Sequence, residues 1–399
     1  MNTKAAVPCI LTINAGSSSL RFALFHAGEP PRALMRGKIE RIGQDAARWT
    51  VSDSRTATEE ERPIAAQNHA AAAAYLLNWL DARPETATVR AVAHRVVHGM
   101  ARSAPARVTQ ELLDELRRIM DFDPEHLPFE IDLIAATAAR HAALPQVVCF
   151  DTAFHRGMPA VARRLPIPRR FQAMGIERYG FHGLSYTFLM EELARLRDPA
   201  ATQGRMILAH LGNGTSLAAV HDGRSIDTSM GFTPASGTMM STRSGDLDPG
   251  LSHYLAQTQQ MSAAQFQHMV NHDSGLLGVS EISADMRDLL AREATDERAA
   301  EAIALFCYHV KKWIGAFAAA LGGVDTMVFT GGIGENAPLI RERVCAGLGF
   351  IGIELDAAAN ARSAPVISMP GGRVTVRVIR TDEELVLARA ALPFCSRPE

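Results

Sequence analysis

Two turns of small polar residues, one in each half of the chain, have the composition of an anion-binding site. Residues 14–19 (Asn-Ala-Gly-Ser-Ser-Ser) join two apolar runs near the N-terminus, and residues 212–216 (Gly-Asn-Gly-Thr-Ser) join two more beyond the middle. Glycine lets the backbone approach a ligand closely, and Asn, Ser and Thr side chains add donors to the main-chain N–H groups. A single turn of this kind often only reverses the chain. Two in matching positions predict a duplicated fold that grips a polyphosphate.

A third turn, rich in glycine, follows the apolar residues 326–329 and precedes a helical segment that begins near Pro338. It spans residues 330–336 (Thr-Gly-Gly-Ile-Gly-Glu-Asn). The order strand, glycine-rich turn and helix places a nucleotide against the backbone and a helix N-terminus. The spacing matches neither the P-loop nor the G-x-G-x-x-G pattern, so a plain strand-to-helix turn stays open as the alternative.

Three cationic or basic side chains stand where phosphoryl transfer could use them. Arg243 lies among small residues before an Asp-Pro pair, and an arginine there can fork onto phosphate oxygens. Arg95 lies within an apolar strand, where a cation is either paired internally or faces a cleft. His182 lies between glycines in the segment Tyr-Gly-Phe-His-Gly, which favours a functional imidazole, and an ordinary core or surface histidine stays open as the alternative. Positive groups around a migrating phosphoryl are the main requirement of this chemistry.

Two acidic residues follow predicted strands at the ends where active sites of α/β sheets collect. Asp151 comes directly after the apolar run 147–150, and Glu383 follows a late strand. Carboxylates in such positions could hold the metal ion that accompanies nucleotide phosphates.

The elements that must position these residues alternate between strand-like and helical patterns, which favours an α/β architecture. We predict strands at 89–97, 146–150 and 374–379, and helices at 70–80, 110–120, 131–143 and from Leu385 onward. Thr109 is a suitable N-cap for the second of these helices. The proline-rich stretch 159–168 is typical of an irregular crossing between halves. We therefore expect an N-terminal lobe of residues 1–150 plus 386–399 and a C-terminal lobe of residues 151–385.

Composition narrows the functional classes. The chain has 399 residues and a formal net charge of -2, so nothing electrostatic favours nucleic acid or an acidic membrane as a partner. Its five cysteines are scattered without metal-site or disulfide-framework spacing, which is typical of reduced thiols in the cytoplasm. The first apolar run indicates a strand and no signal peptide, and Lys311 and Lys312 interrupt the most apolar later stretch. We expect a cytoplasmic protein.

The order of the motifs resembles the acetokinase family, in the superfamily of sugar kinases, heat-shock chaperone ATPases and actin. The resemblance covers nearly the whole chain and rests on eight ordered segments: 14–19, 94–99 (His-Arg-Val-Val-His-Gly), 150–155 (Phe-Asp-Thr-Ala-Phe-His), 179–183, 210–214, 242–246, 330–336 and 381–384.

This resemblance implies a duplicated actin-like (ribonuclease H-like) α/β fold of two domains with a cleft between the lobes. It implies direct, in-line and reversible phosphoryl transfer from Mg-ATP to acetate, giving acetyl phosphate and ADP. Mg²⁺ or Mn²⁺ would be the metal, ATP or ADP the co-substrate, and a homodimer the assembly. Catalysis would then consist of positioning and charge neutralisation.

The resemblance also assigns roles to individual residues. The catalytic positions are Asp151, His182 and Arg243, and the metal positions are Asn14 and Glu383. Arg95 matches the residue that contacts the substrate carboxylate, and Val97, Phe181 and Pro234 match the hydrophobic acyl pocket. The nucleotide-binding positions are Arg21, His210, Leu211, Gly212, Asn213, Gly214, Asp285, Met286, Arg287, Gly332, Ile333, Gly334, Glu335 and Asn336. The Gly212 turn and residues 332–336 would form the ATP side, and the Asn14 turn the metal and phosphoryl side.

Three departures from the family pattern bear on specificity. Arg21 stands where a lysine near the ATP is usual, which keeps the charge but changes reach and geometry. Glu125 stands where the family typically has an apolar residue before a histidine near the acyl pocket. Residues 232–237 and Ser241 vary a region that usually contains Leu and Glu.

Two rival functions remain open at the level of sequence. Within the same class, propionate or butyrate could replace acetate, because one methylene in a pocket is worth only about 1–3 kcal/mol. In a different class, the chain could be a nucleotide-gated, actin-like binding ATPase. Arg95 favours the kinase, because such a binding module needs no cation for a substrate carboxylate.

Overall fold

The computed structural model describes residues 7–16, 19–43 and 47–395, so Ser17 and Ser18 of the first predicted turn lie outside the described residues. The chain divides into two compact units. Unit 1 runs to Ala153 and resumes at Asp382, and unit 2 is the continuous segment Phe154–Thr381.

Strands and helices alternate along much of the chain. The strands are β1 (Cys9–Ala15), β2 (Ser19–His26), β3 (Arg32–Glu40), β4 (Ala47–Asp53), β5 (Thr58–Ile64), β6 (Val89–Val96), β7 (Ala106–Arg107), β8 (Gln146–Phe150), β9 (Arg205–Leu211), β10 (Thr215–His221), β11 (Arg224–Thr228), β12 (Thr326–Thr330) and β13 (Thr375–Val378). The helices are α1 (His69–Asp81), α2 (Gln110–Arg118), α3 (Leu127–Arg140), α4 (Ala160–Arg163), α5 (Arg169–Gln172), α6 (Gly183–Arg195), α7 (Ala200–Gln203), α8 (Gly250–Gln259), α9 (Ala263–His272), α10 (Gly275–Ser280), α11 (Met286–Arg292), α12 (Glu297–Leu321), α13 (Gly331–Asn336), α14 (Pro338–Cys345), α15 (Ala357–Ala361) and α16 (Glu383–Ala391).

Unit 1 is built on a mixed sheet in the order β5-β4-β3-β2-β1-β6-β8-β7. β1 and β2 form an antiparallel pair, whereas β6 and β8 run parallel to β1 and place their carboxyl ends at the same edge. Every residue of β1 is buried, as expected for a strand covered on both faces. The β1–β6–β8 edge therefore collects the residues that follow these strands.

The core of unit 1 lies between this sheet and the helices α1 and α3. Trp49 is fully buried, stacks on Phe22 with ring centroids 5.3 Å apart, and meets Trp79 of α1 edge-on. Thr109 caps α2 by accepting the N–H of Leu112, as its sequence position predicts. The last helix, α16, packs against β1 and β6, so the chain returns from unit 2 to complete unit 1.

Unit 2 repeats the hairpin at the centre of its own sheet, whose order is β11-β10-β9-β12-β13. β9 pairs antiparallel with β10 and parallel with β12, and β12 pairs parallel with β13. The long helix α12 lies over one face with Phe306, Val310 and Ile314 buried among sheet residues. On the other face Tyr186 and Leu189 of α6 are buried with residues of β9, β10 and β12.

The observed elements differ from the predicted ones mainly at their ends. The strand at 146–150 is confirmed, and the helix predicted at 131–143 begins four residues earlier, at Leu127. The prediction of irregular structure at 159–168 was partly wrong, because Ala160–Arg163 forms one helical turn after Pro159. The predicted glycine-rich turn at 330–336 is itself the short helix α13, with Thr330 at its N-cap position.

The two crossings between units fall slightly away from the predicted boundaries at 150 and 385. Asp151 belongs to unit 1, where its carboxylate pairs with Arg95. Asp382 also belongs to unit 1, where it accepts two hydrogen bonds from Arg36 and caps α16. Residues 151–153 at the first crossing and 382–385 at the second therefore belong to unit 1.

Among the described residues, no helix combines the length and the apolar character needed to cross a membrane.

Candidate active site

Arg95 is the centre of a buried charged cluster at the carboxyl edge of the unit 1 sheet. Its Nε and Nη2 donate to Oδ2 of Asp151 at 3.0 and 2.6 Å, and its Nη1 donates to the carbonyl of Ala15 at 2.7 Å. The Arg95 side chain is 11% exposed and that of Asp151 only 1%. Although burial lowers the pKa of Arg95, the charges of Asp151 and Glu130 raise it above its ordinary value. The guanidinium is therefore a fixed cation.

A second pair joins the end of β1 to the start of α16. The Asn14 amide donates from Nδ2 to Oε2 of Glu383 at 2.7 Å, and both residues are buried. Burial raises the pKa of Glu383, and the charge of Asp151 raises it further, while Arg95 and Arg21 lower it. Asn14, Glu383, Asp151 and Arg95 thus belong to one electrostatic group within unit 1.

This group fits a hard divalent cation. Mg²⁺ is usually held by one or two carboxylates together with water and substrate phosphates, and amide and carboxylate oxygens are its preferred ligands. The group contains the acids Asp151 and Glu383 and one buried arginine. Burial raises the pKa of Glu383, so a bound cation would favour the ionised form of this carboxyl group. No cluster of three or more His, Cys, Asp or Glu side chains arranged for a metal occurs in the described part of the chain. A partly hydrated ion is therefore the better fit than an all-protein cage.

In unit 2, His182 is held at the N-terminus of α6 by an uncommon backbone conformation. Its φ is +59°, in the left-handed region, and the preceding turn includes Gly180 at φ +73°. The imidazole Nδ1 lies 2.8 Å from Oγ of Ser216, which is also 2.5 Å from the Tyr186 hydroxyl. A non-glycine residue in this conformation is strained, and such strain concentrates at functional sites.

Arg243 and His182 converge on the Gly214 turn. A Cβ atom added at Gly214 would lie 3.1 Å from His182 Nε2 and 3.6 Å from Arg243 Nη1. Arg243 Nη1 also donates to the carbonyl of Pro234 at 3.3 Å, which orients the guanidinium. Glycine at position 214 thus keeps open the space beside an imidazole and a cation.

The Gly212 turn lies beside α13 because β9 and β12 are paired in parallel. Thr330 is the register partner of His210, and a Cβ atom added at Gly331 would lie 2.6 Å from the Leu211 carbonyl. The imidazole of His210 stacks on that of His182, with ring centroids 4.2 Å apart, and its Nδ1 lies 2.9 Å from Oγ of Ser185. The sheet therefore brings the two predicted nucleotide-binding turns together.

A model of the Acetokinase family matches residues 9–389. The chain is 43% identical to an acetate kinase of Rhodopseudomonas palustris over 387 residues, which cover 95% of this chain and 96% of that protein. The chain belongs to the acetokinase family.

Solved structures agree on the fold of this family member. The crystal structure of Porphyromonas gingivalis acetate kinase matches with a TM-score of 0.85. The two sequences are 34% identical, and the match covers 98% of this chain and 100% of the other. The structure of a propionate kinase from Francisella tularensis has a TM-score of 0.88. Its sequence is 33% identical, and the match covers 96% of this chain and 98% of the propionate kinase. The prediction of a duplicated, actin-like α/β fold of two domains is confirmed.

Within each unit, the structure brings most predicted acetokinase residues together. Asn14, Arg95, Asp151 and Glu383 form one group in unit 1, and Arg21 is exposed on β2 with its charge acting on Glu383. In unit 2, His182, Arg243, His210 and the 212–214 turn form another group. Val97 is buried in unit 1, whereas Phe181 is buried and Pro234 half-buried in unit 2.

Several predicted nucleotide-binding residues have side chains that pack in the core or bind other protein groups. Leu211 and Met286 are buried in the core of unit 2, so they can offer a ligand only main-chain atoms. Asp285 caps α11 and holds the exposed Arg287 in an ion pair of 2.5 Å. Oε1 of Glu335 accepts three hydrogen bonds, from the Thr330 hydroxyl and the N–H groups of Gly331 and Thr381, so this carboxylate stabilises the turn itself.

The sequence analysis missed several residues that hold the predicted site residues in place through hydrogen bonds. Ser216 contacts His182, Ser185 contacts His210, and Arg341 donates to the carbonyls of Gly334 and Glu335. Only Glu130 carried a usable signal, because an acid there interrupts the apolar stripe of Leu127, Ile131 and Ile134 on α3.

Proposed function

We propose that this protein transfers the γ-phosphoryl group of ATP to acetate, giving acetyl phosphate and ADP, and that it also runs in reverse. The observation that carries the proposal is the buried group of Arg95, Asp151, Asn14 and Glu383 at the edge of the unit 1 sheet. A fixed cation beside carboxylates suited to Mg²⁺ serves the recognition of a small carboxylate next to metal-bound phosphates. Membership of the acetokinase family supports the same conclusion and disfavours a binding ATPase without a chemical step.

The reaction joins a carboxylate oxygen to the γ-phosphorus while the bond from that phosphorus to the bridging oxygen of ADP breaks. Negative charge spreads over the transferred phosphoryl oxygens and grows on the leaving oxygen. Arg243 and His182, which converge on Gly214, would neutralise the charge on the phosphoryl group. Arg95 would hold the acceptor carboxylate, and Asp151 keeps the guanidinium oriented through two hydrogen bonds.

The nucleotide would bind at the paired turns of unit 2. Residues 212–214 and α13 present glycines and N–H groups at the ends of adjacent parallel strands, where ligands of α/β sheets collect. The resemblance assigns Val97, Phe181 and Pro234 to the acyl group, and the side chains of Val97 and Phe181 are buried within their own units.

Asn14 and Glu383 would hold Mg²⁺ or Mn²⁺, which when bound would offset charge on the phosphates. The variant Glu383→Gln should raise the Mg²⁺ concentration for half-maximal activity by about tenfold or more, since it removes one of few carboxylate ligands. The adjacent buried acid Glu384 lies 3.7 Å from Arg36, and Glu384→Gln is the matched control. A Mg²⁺ requirement that shifts equally in both variants would argue against the assignment of Glu383.

Propionate is the second candidate acceptor, because a propionate kinase shares this fold with a TM-score of 0.88. The decisive experiment is trapping of acyl phosphate as the hydroxamate with formate, acetate, propionate and butyrate tested in parallel at equal concentrations. We expect acetyl hydroxamate to form fastest. No hydroxamate from any of the four would overturn the kinase assignment, and faster formation with propionate would reassign the acceptor.

We infer that the protein works in the cytoplasm as a homodimer. All five cysteines are described and none forms a disulfide, which fits work in the reducing cytoplasm. The homodimer implied by the resemblance stays a prediction, and sedimentation equilibrium on the purified protein would test it.

A further inference from the structure

Glu130 is a buried acid that none of the assigned roles uses. It lies in the first turn of α3 and is 1% exposed. Its Oε2 accepts the backbone N–H of Val97 at 2.9 Å, and its Oε1 lies 3.8 Å from Nη1 of Arg95. Oε1 accepts no hydrogen bond from the described residues. One carboxyl group therefore contacts both Arg95 and Val97, the residues of unit 1 that we assign to binding of the substrate carboxylate and its acyl group.

The contact with Val97 fixes the end of β6. Val97 follows the last residue of this strand, so its N–H has left the sheet ladder, and the Glu130 carboxyl takes over as its acceptor. An N–H buried without an acceptor costs about 1–3 kcal/mol. The carboxyl therefore stabilises the backbone between Arg95 and Val97 in one conformation.

The contact of the Glu130 carboxyl group with Arg95 affects how strongly the guanidinium can attract a substrate carboxylate. Arg95 is already paired with Asp151 at 2.6 Å, and a second anion at 3.8 Å would compete with an incoming carboxylate for the same guanidinium. Burial raises the pKa of Glu130 to about 8, with Asp123 and Asp151 raising it and Arg95 and the Val97 N–H lowering it. Near neutral pH the group is mostly uncharged and leaves the charge of Arg95 available.

We propose that Glu130 is a positioning residue that fixes the Arg95–Val97 segment for recognition of the substrate carboxylate and weakens that recognition when it ionises. The proposal rests on the proposed function, in which Arg95 binds the acceptor. It adds a residue and a dependence on pH: the KM for the carboxylate rises as the pH passes about 8, while the KM for Mg-ATP does not.

Two substitutions separate the contacts. Glu130→Gln keeps an acceptor for the Val97 N–H but cannot ionise, so the alkaline rise in the carboxylate KM should disappear. Glu130→Met has a similar length and no acceptor, and it should raise the carboxylate KM by about tenfold or more at pH 7, because the Val97 N–H is left unsatisfied. In both variants the KM for Mg-ATP should stay within about twofold of the original value. Glu85→Gln, at a half-buried acid that pairs with Arg55 in the same unit, is the control.

The measurement is steady-state acyl phosphate formation between pH 6.5 and 9 with the carboxylate and Mg-ATP varied in turn. A carboxylate KM that still rises above pH 8 in Glu130→Gln, or an unchanged KM in Glu130→Met, would overturn the proposal while the kinase assignment stands. A fall in kcat with equal changes in both KM values would mean general structural damage and would also overturn it. If Glu130→Met does not fold, the pH profile of Glu130→Gln decides. If the unchanged protein forms no acyl phosphate, both proposals fail together.

Discussion

The guanidinium of Arg95 is tied to Asp151 and to the Ala15 carbonyl through three of its five N–H groups. Two donors that converge on one carboxylate oxygen, with a third on a carbonyl, fix the plane of the group, so the remaining donors point in set directions. The substrate carboxylate would therefore meet a preorganised partner, and no side-chain ordering would be needed at the moment of binding.

Removal of this cation should abolish most activity. We expect Arg95→Ala to lower kcat/KM for the carboxylate by roughly 10²–10³-fold, because truncating one partner of a buried charged pair typically costs 2–5 kcal/mol. Arg95→Lys should recover only part of the loss, since lysine cannot form the fork. The matched control is Arg102→Ala, which removes a partly exposed pair with Glu115 in the same unit. Unchanged turnover in a folded Arg95→Ala protein would remove the role that we assign.

At the scale of elements, α13 depends on one buried arginine whose hydrogen-bond acceptors among the described residues are all neutral. Arg341 of α14 is fully buried and donates to the carbonyls of Gly334, Glu335 and Asn360, to the Asn360 side chain and to the Ser363 hydroxyl. Burial lowers its pKa, yet neutral acceptors satisfy all of its nitrogens. The end of α13 is thereby fastened to the α14–α15 region.

Loss of this contact should loosen the nucleotide turn. Arg341→Met keeps much of the volume but leaves several buried carbonyls without a donor, so we expect a loss of roughly 2–4 kcal/mol in the free energy of unfolding. The KM for Mg-ATP should rise more than the KM for the carboxylate. Arg343→Met removes a half-exposed ion pair with Glu293 on the same helix and should change stability by about 1 kcal/mol or less. Urea unfolding and steady-state kinetics on both variants provide the test.

The sequence predicted these elements well where local chemistry decides the conformation. Apolar runs between polar turns located β1, β2, β9 and β10, and Thr109 marked the start of α2. The start of α3 was missed because Pro128 and Glu130 interrupt the apolar helical pattern in its first turn. Proline is nevertheless well tolerated at the start of a helix. Glycines at 331, 332 and 334 hid α13 for a similar reason, since their low helix propensity is overridden by the contacts of Glu335 and Arg341.

The candidate site was predictable to the extent that its residues follow strands. Asp151 was marked as a candidate because it directly follows the apolar run that forms β8, whereas the roles of Asn14 and Arg95 came from the family resemblance. The role of Ser216 and Glu130 could not be predicted, because each acts through a side chain that comes from a distant part of the sequence. Arg287 was assigned to the nucleotide, but local geometry pairs it with Asp285 at the start of α11.

At the scale of the whole molecule, buried titratable groups give stability a dependence on pH. Burial raises the pKa of Glu130 to about 8 and lowers that of His94, whose Nε2 contacts Gln146, to about 4. The contribution of Glu130 is fully present below its unfolded pKa and is lost as the pH rises through about 8. That of His94 has the opposite sign, being present above its unfolded pKa and lost as the pH falls through about 4.

Thermal unfolding should show the alkaline part of this dependence. The melting temperature of the unchanged protein should fall between pH 5 and pH 9, and Glu130→Gln should fall less, so the difference between them should reach several degrees at pH 9. The control Glu115→Gln alters a partly exposed acid and should follow the unchanged protein. Parallel curves for Glu130→Gln and the unchanged protein would contradict the raised pKa of Glu130.

Unit 2 is one uninterrupted stretch of chain, whereas unit 1 lacks its last helix until the chain has passed through all of unit 2. During synthesis from the N-terminus, residues 154–381 therefore leave the ribosome complete while the first sheet still waits for α16. Domains generally fold as units as they emerge, so unit 2 can reach its native structure first. Asn14 and Arg95 therefore acquire Glu383 only after all of unit 2 has been synthesised, and the turns at 212–214 and 331–336 can form before this acidic group is complete.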